Sequence, residues 1–136
     1  MKARVRLLPD LVLTESGWTS GRAVVIEGGR IAAIEPAGRL WPGDLGLGGK
    51  ALLPGTVNAH CHTFQSLLRG LGDDLDFMGW RDRVLYPFSQ KLDRNGIKLG
   101  AAFAFAEMAL HGATTCVDFF YLHDEGNENA EAVIEA

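Results

Sequence analysis

The stretch Leu52-Leu53-Pro54-Gly55-Thr56-Val57-Asn58-Ala59-His60-Cys61-His62 restricts the folds open to this 136-residue chain more than any other. It is a short apolar run that closes on two histidines one residue apart. Side chains alternate across a strand, so His60 and His62 are predicted to point the same way, with Asn58 and Thr56. Cys61, Ala59 and Val57 take the opposite face. Two imidazoles side by side at a strand end can grip one metal ion from a single direction. In a parallel α/β barrel that end is the C-terminal rim, where active sites are assembled.

A His-x-His pair by itself is most often two surface or half-buried histidines. Three features favour ligation here. The pair closes an apolar run instead of sitting in a polar loop. Pro54-Gly55 marks the entry of a new element just before it. Thr63-Phe64-Gln65-Ser66-Leu67-Leu68-Arg69-Gly70 then reads as a short helix with a threonine cap. Strand, rim and helix follow in order, and His60 and His62 are expected as metal ligands.

Pro54-Gly55-Thr56-Val57-Asn58-Ala59-His60-Cys61-His62 resembles the first barrel strand of the amidohydrolase superfamily, whose motif is P-G-h-h-[ND]-x-H-x-H. The run from Leu68 to Trp80 resembles L-x-R-G-x-x-D-D-L-x-h-x-x-W. That motif belongs to the aminohydrolase branch of S-adenosylhomocysteine deaminases, triazine hydrolases, guanine deaminases and formiminoglutamate deiminases. Ala109 to Asp118 is similar to its second strand, h-x-x-G-x-T-T-x-x-D. The resemblance runs from about Val24 to the last residue, with the three motifs in their proper order. It implies an α/β fold: the start of a (β/α)8 TIM-like barrel, its first two βα units, preceded by strands of a small β-sandwich domain. Residues 1–50 are then the sandwich strands and 51–136 the first, truncated part of the hydrolase barrel. A whole barrel needs about 250 residues, so the chain is expected to be the N-terminal fragment of a larger hydrolase.

Composition sets outer bounds. A content of 47% hydrophobic and 22% charged residues is that of an ordinary globular protein. A net charge of −4 gives no reason to expect nucleic acid or an anionic membrane as partner. The longest apolar candidate is interrupted by Lys98 and Glu107, so no membrane span is expected. The start, Met1 to Pro9, is basic but lacks the apolar core of a signal peptide. Two cysteines, one of them inside the proposed strand, suit reduced thiols and a cytoplasmic address.

Along the chain, residues 1 to about 50 read as β structure. Ala23–Glu27 and Arg30–Glu35 form a predicted hairpin about Gly28-Gly29. Arg4–Leu7 and Leu11–Thr14 are further strands around Pro9-Asp10, and Pro36–Lys50 suits a crossing between domains. In the resembled family strands from the far C-terminus complete this sheet, so an unpaired edge is expected here. A long connection follows His62 as far as about Asp93. Within it Asp73 and Asp74 are expected as helix caps or as partners of Arg69, Arg81 and Arg83. Arg94–His111 reads as the first large helix, with an apolar stripe of Leu99, Ala102, Phe103, Ala106 and Leu110. His111 in its last turn, just before Gly112, is read as structural. Thr114–Leu122 is the second strand, whose Asp118 must be solvated or hydrogen-bonded. Asn127–Ala136 reads as the start of a second helix.

The resemblance implies that Trp80 lines a substrate pocket and that Gln65 faces substrate, as in the formiminoglutamate deiminases. Tyr121 and His123 share a face if the second strand continues, and both then reach the rim. The expected site is therefore His60 and His62 on a divalent metal, zinc first and iron as the alternative, with Gln65, Trp80, Tyr121 and His123 on substrate. A catalytic zinc usually takes three protein ligands and a water. The resemblance places a third histidine and an aspartate, and the glutamate and histidine that move protons, on later strands. This chain contains none of them, so no catalytic residue is assigned and the 136-residue piece alone is expected to be inactive. The expected function is the N-terminal part of a metal-dependent amidohydrolase that hydrolyses a C–N bond of an amidine or aminated heterocycle and releases ammonia. A small-molecule substrate is the expected partner, and a homo-oligomer stays open. Three alternatives stay open too. One is a triazine-type hydrolase releasing another group. Another is a small metal-binding protein that joins His60 and His62 with His123 across a dimer. The last is a structural or interaction protein without metal.

Overall fold

Gly28 and Gly29 close the expected hairpin, both at positive φ (58° and 76°), as a two-residue turn matched to strand twist requires. They join β3 (Arg22–Glu27) antiparallel to β4 (Arg30–Pro36). The computed structural model describes residues 4–123 and 126–136, so Met1–Ala3 of the basic start lie outside the described residues. The fold is α/β, in two compact units, Met1–Pro54 and Gly55–Ala136.

In the first unit β1 (Arg4–Thr14) runs unbroken through Pro9-Asp10, in place of the two strands expected there. Its partners change along its length. Arg4–Leu7 pair antiparallel with β3, and Leu11–Thr14 with β2 (Gly17–Ser20). Residues Leu7 to Val12 pair in parallel with β5 (Leu45–Leu52), with a register shift between Pro9 and Leu11. Pro9 has no N–H to donate, and a break in register is where a strand tolerates it. β5 is a correction to the sequence reading, which takes residues 36–50 as an interdomain crossing. Its glycines hide a strand that is fixed from outside, by β1 and by the Gly49 N–H donated to the Asp10 carboxylate at 2.8 Å. Val12, Ala23, Val24 and Val25 form the buried core. Beside them Arg6 is buried, its guanidinium within 3.3 Å of Glu35 and 3.4 Å of Asp44 and donating to the Ala37 carbonyl.

In the second unit β6 (Thr56–Cys61) and β7 (Ala113–Asp118) pair in parallel. Between them the expected helices after His62 and before His111 both form, and further helical turns over residues 77–89 occupy what is expected as an irregular connection. A 3₁₀ helix spans Thr63–Leu68. Then α1 (Phe77–Trp80) passes through a π turn (Arg81–Leu85) into α2 (Tyr86–Ser89), and α3 follows over Arg94–Leu110. The caps are Asp76 and Asp93, not the expected Asp73 and Asp74. Each accepts the N–H three residues on, Gly79 at 2.7 Å and Gly96 at 2.8 Å. Replacing Asp76 with alanine is expected to lower stability by about 1 kcal/mol, read as a lower urea midpoint at unchanged slope. His111 closes α3, its Nδ1 2.8 Å from the Glu107 carbonyl, and Gly112 turns the chain at φ 83°. The short α4 covers Glu128–Ile134.

The buried face of α3 differs from the expected stripe. Ile97, Gly100, Ala101 and Ala104 are buried, while Leu99, Phe103 and Leu110 are exposed. Small residues win because they allow close approach: a Cβ on Gly100 would sit 3.2 Å from the Phe64 Cα. Ile97 and Ala101 pack with Ala132 and Val133 of α4, while Phe64, Leu68 and Leu85 form a second cluster. Among the described residues no helix is long and apolar enough to cross a membrane.

Exposed ion pairs tie these helices together. Arg69 pairs with Glu107 across to α3 and lies over the Phe103 ring at 5.3 Å. Glu135 accepts from Arg94 at 2.7 Å and Lys98 at 3.3 Å. Hydrogen bonds from Arg69, and from Arg94 and Lys98, hold the Glu107 and Glu135 carboxyls below their usual range. A depressed folded pKa gives stability that is present above the unfolded pKa and lost as pH falls through the folded one. Melting temperature is therefore expected to hold from neutrality to about pH 5.5 and to decline below about pH 4.5. The decline should be shallower in Glu135→Gln and in high salt, since these pairs are open to solvent.

Candidate metal centre

β6 carries His60, and His62 follows directly after its last residue; the two rings turn toward each other and bring their Nε2 atoms to 3.1 Å. The rings meet edge to face with centroids 5.0 Å apart. The Nδ1 of His62 lies 2.8 Å from the Phe119 carbonyl oxygen. A carbonyl only accepts, so Nδ1 is the donor, and Nε2 faces His60. A histidine so placed could hold a metal on Nε2, its far nitrogen donating to a fixed acceptor. The spacing also fits one ion. Two nitrogens 3.1 Å apart subtend about 100° at an ion about 2.05 Å from each, close to the tetrahedral angle.

The end of β6 is fastened to the end of β7 residue by residue. Cys61 accepts the Phe119 N–H on its carbonyl at 2.7 Å. Thr63 donates its N–H to Asp118 Oδ1 at 3.0 Å and its hydroxyl to Oδ2 at 2.6 Å. Thr63 therefore does not cap its helix as expected; Asp118 of the neighbouring strand satisfies the free N–H instead. A mid-strand carboxylate such as Asp118 needs a partner, but the sequence does not say which. No spacing rule joins residues 55 apart.

β7 stops at Asp118, short of the expected Leu122. Phe119 and Tyr121, beyond the strand, set their rings edge-on to His62 with centroids 5.6 and 5.4 Å away. Gln65 donates its amide to the Tyr121 hydroxyl at 2.6 Å. Burial pushes the Tyr121 phenol up from its ordinary value, so the hydroxyl keeps its proton at neutral pH. His60, His62, Gln65 and Tyr121 thus form one linked group. Trp80 is placed elsewhere, packed on the Phe64, Leu68 and Leu85 cluster, whereas His123, its ring 5.8 Å from that of Phe120, lines one open cavity with Tyr121.

Among the described residues no group of three or more His, Cys, Asp or Glu side chains is arranged to hold a metal ion. Cys61 and Cys116 are free thiols. Burial, with Cys116 beside it, pushes the Cys61 thiol up to about 11, which leaves it protonated and inert at neutral pH.

Residues 51–136 match the sequence pattern of the amidohydrolase family. A 5-methylthioadenosine/S-adenosylhomocysteine deaminase of Syntrophobacter fumaroxidans is 39% identical over 115 residues, 81% of this chain and 26% of that protein. A 5'-deoxyadenosine deaminase of Methanopyrus kandleri is 29% identical over 126 residues, 88% of this chain and 28% of that protein. Among solved structures, an adenosine deaminase from Xanthomonas campestris with bound zinc superposes at a TM-score of 0.78 and 26% identity. It matches 96% of this chain and 31% of its own. A triazine hydrolase from Arthrobacter aurescens superposes at 0.77 over 97% of this chain and 32% of its own; at 19% identity it shows the fold alone. The chain spans about a quarter to a third of the length of these proteins. With relatives among the nucleoside deaminases and a histidine pair at the end of its sixth strand, this chain belongs to the amidohydrolase family.

Proposed function

We propose that the protein carrying this chain is a metal-dependent deaminase of aminated heterocycles, which hydrolyses a C–N bond and releases ammonia. In this reading residues 1–54 supply strands of a small β-sandwich, and residues 55–136 supply the first two βα units of a (β/α)8 barrel. The observation that carries it is the 3.1 Å approach of the His60 and His62 Nε2 atoms, with His62 held by the Phe119 carbonyl. His60 and His62 would hold the metal. Imidazole nitrogens suit both zinc and iron; zinc is favoured because the Xanthomonas adenosine deaminase holds it. When bound, such a metal supplies an activated water at neutral pH.

Gln65 and Tyr121 would recognise the substrate. The Gln65 amide nitrogen is already committed to Tyr121, which leaves its carbonyl to accept from an exocyclic amine. The Tyr121 hydroxyl, accepting from Gln65 and still protonated, is left to donate to a ring nitrogen. That complementarity favours a heterocycle bearing both groups over a simple amidine. Relatives that act on 5-methylthioadenosine, S-adenosylhomocysteine and 5'-deoxyadenosine support an adenine nucleoside altered at its 5' carbon. The cavity that His123 lines with Tyr121 supports His123 as a wall residue of the pocket, and the aminohydrolase resemblance supports Trp80. The free thiols support a reducing, cytoplasmic setting.

The test is ammonia release by the full-length gene product, with adenine nucleosides, guanine and an aminotriazine as substrates and metal content measured alongside. Release from an adenine nucleoside by a zinc-loaded protein is expected. An intact mass equal to the 14.7 kDa of this chain, with no ammonia from any of the three, would sink the enzyme reading. The chain would then stand as a metal-binding or interaction protein.

A further inference from the structure

We propose that Thr63 and Asp118 are positioning residues for His62, a latch that aims the ring at the metal from the opposite side; this rests on the metal-site reading above. The pairing of β6 with β7 carries a defect. Asn58 pairs with Cys116 and Cys61 pairs with Asp118, so β6 spends three steps where β7 spends two. An extra residue of this kind leaves one position unpaired and re-aims the side chains around it. The irregularity spans Ala59 and His60 and ends just before His62. Regular ladder bonds therefore do not fix the ring's direction at the point where it matters.

What replaces them is a set of bonds between three consecutive residues of one strand end and two of the other. The Cys61 carbonyl accepts from the Phe119 N–H, the His62 Nδ1 donates to the Phe119 carbonyl, and Thr63 gives the Asp118 carboxylate both its N–H and its hydroxyl. The Phe119 carbonyl lies past the last strand pair, so it is held to the β6 end by the Phe119 N–H on the Cys61 carbonyl and by the side chain just before it, Asp118. The hydroxyl bond, at 2.6 Å, is in the short range of a hydrogen bond to a charged oxygen. Thr63 is 1% exposed, so water cannot take over when the bond is lost. Neither residue touches the metal-facing Nε2. Each acts through the acceptor that holds Nδ1.

The readout is made on the full-length gene product in two ways. Nitrogen chemical shifts of the His62 ring in metal-free protein report whether Nδ1 carries the proton, and chelator competition reports zinc affinity. In wild type Nδ1–H is expected. Asp118→Ala is expected to lose that preference and to bind zinc about 10–100-fold more weakly. Asp118→Asn keeps an acceptor for the Thr63 N–H and should restore most of both. Should Asp118→Ala fail to fold, Thr63→Val keeps the shape of the buried side chain and removes only the hydroxyl; about 10-fold weaker zinc is expected. An unchanged His62 proton in both variants overturns the proposal, as does a displaced proton with unchanged zinc affinity. A wild type that holds Nδ1–H, loses it in the variants, and binds no zinc would refute the metal reading while leaving the latch on His62 in place.

Discussion

Replacing His62 with alanine in the full-length gene product is expected to abolish stoichiometric zinc and, with it, ammonia release. The loss should exceed the roughly 10–100-fold that removal of an outer partner costs, because the ligand itself goes. His60→Ala should behave alike, since the two Nε2 atoms stand 3.1 Å apart and neither can hold an ion alone from this side. His60 is exposed and His62 half-buried, so their removal opens no enclosed cavity and the far-UV spectrum should change little. That separates a lost metal from a lost fold. Retention of zinc and turnover by His62→Ala would show that the pair is not a ligand pair.

The second large effect is expected at Gly55, where the fold leaves no room for a single methyl. A Cβ built there would sit 2.2 Å from the Thr114 Oγ1, 2.3 Å from its Cγ2 and 2.8 Å from its Cβ. Rotating the threonine relieves the first two contacts but not the third, so the backbones of β6 and β7 would have to part. Just beyond, the Thr56 N–H donates to the Gly112 carbonyl at 2.8 Å, a bond that such parting stretches. Gly55→Ala should therefore destabilise the protein by about 1–3 kcal/mol, measured by urea unfolding. Adding Thr114→Gly should recover part of the loss, because it removes the clashing atoms. Equal stability of Gly55→Ala and wild type would mean that the strands are not held this close.

What the sequence made legible divides along physical lines. The histidine pair could be read because strand alternation is rigid and depends on spacing alone. The Gly28-Gly29 hairpin was legible for a similar reason, since two adjacent positive-φ residues between β-rich runs leave little else. β5 was not legible: Gly46, Gly48 and Gly49 carry no strand preference, and the pairing that orders them comes from a strand about 38 residues earlier. The face of α3 was misjudged because periodicity weights large apolar residues, whereas Gly100, Ala101 and Ala104 are buried where two backbones come close. Within the site, Gln65 and Tyr121 were expected on resemblance, but their mutual bond was not. The hold of Asp118 on Thr63 belongs to this last class, as does the departure of Tyr121 from its strand. Each depends on a partner more than 50 residues away.

The bond between His62 and the Phe119 carbonyl also has a schedule. The two residues are 57 positions apart, and at about 5–20 residues per second of synthesis the acceptor is made roughly 3–11 s after the histidine. Through that interval the hairpin of β3 and β4, whose partners are neighbours in sequence, has ample time to form, since hairpins close in about 1–10 μs. The imidazole pair instead waits, unaimed, for a parallel partner that arrives only after all of α3 has been made. A metal ion met early would find two loosely held ligands. One met after β7 has paired would find them fixed.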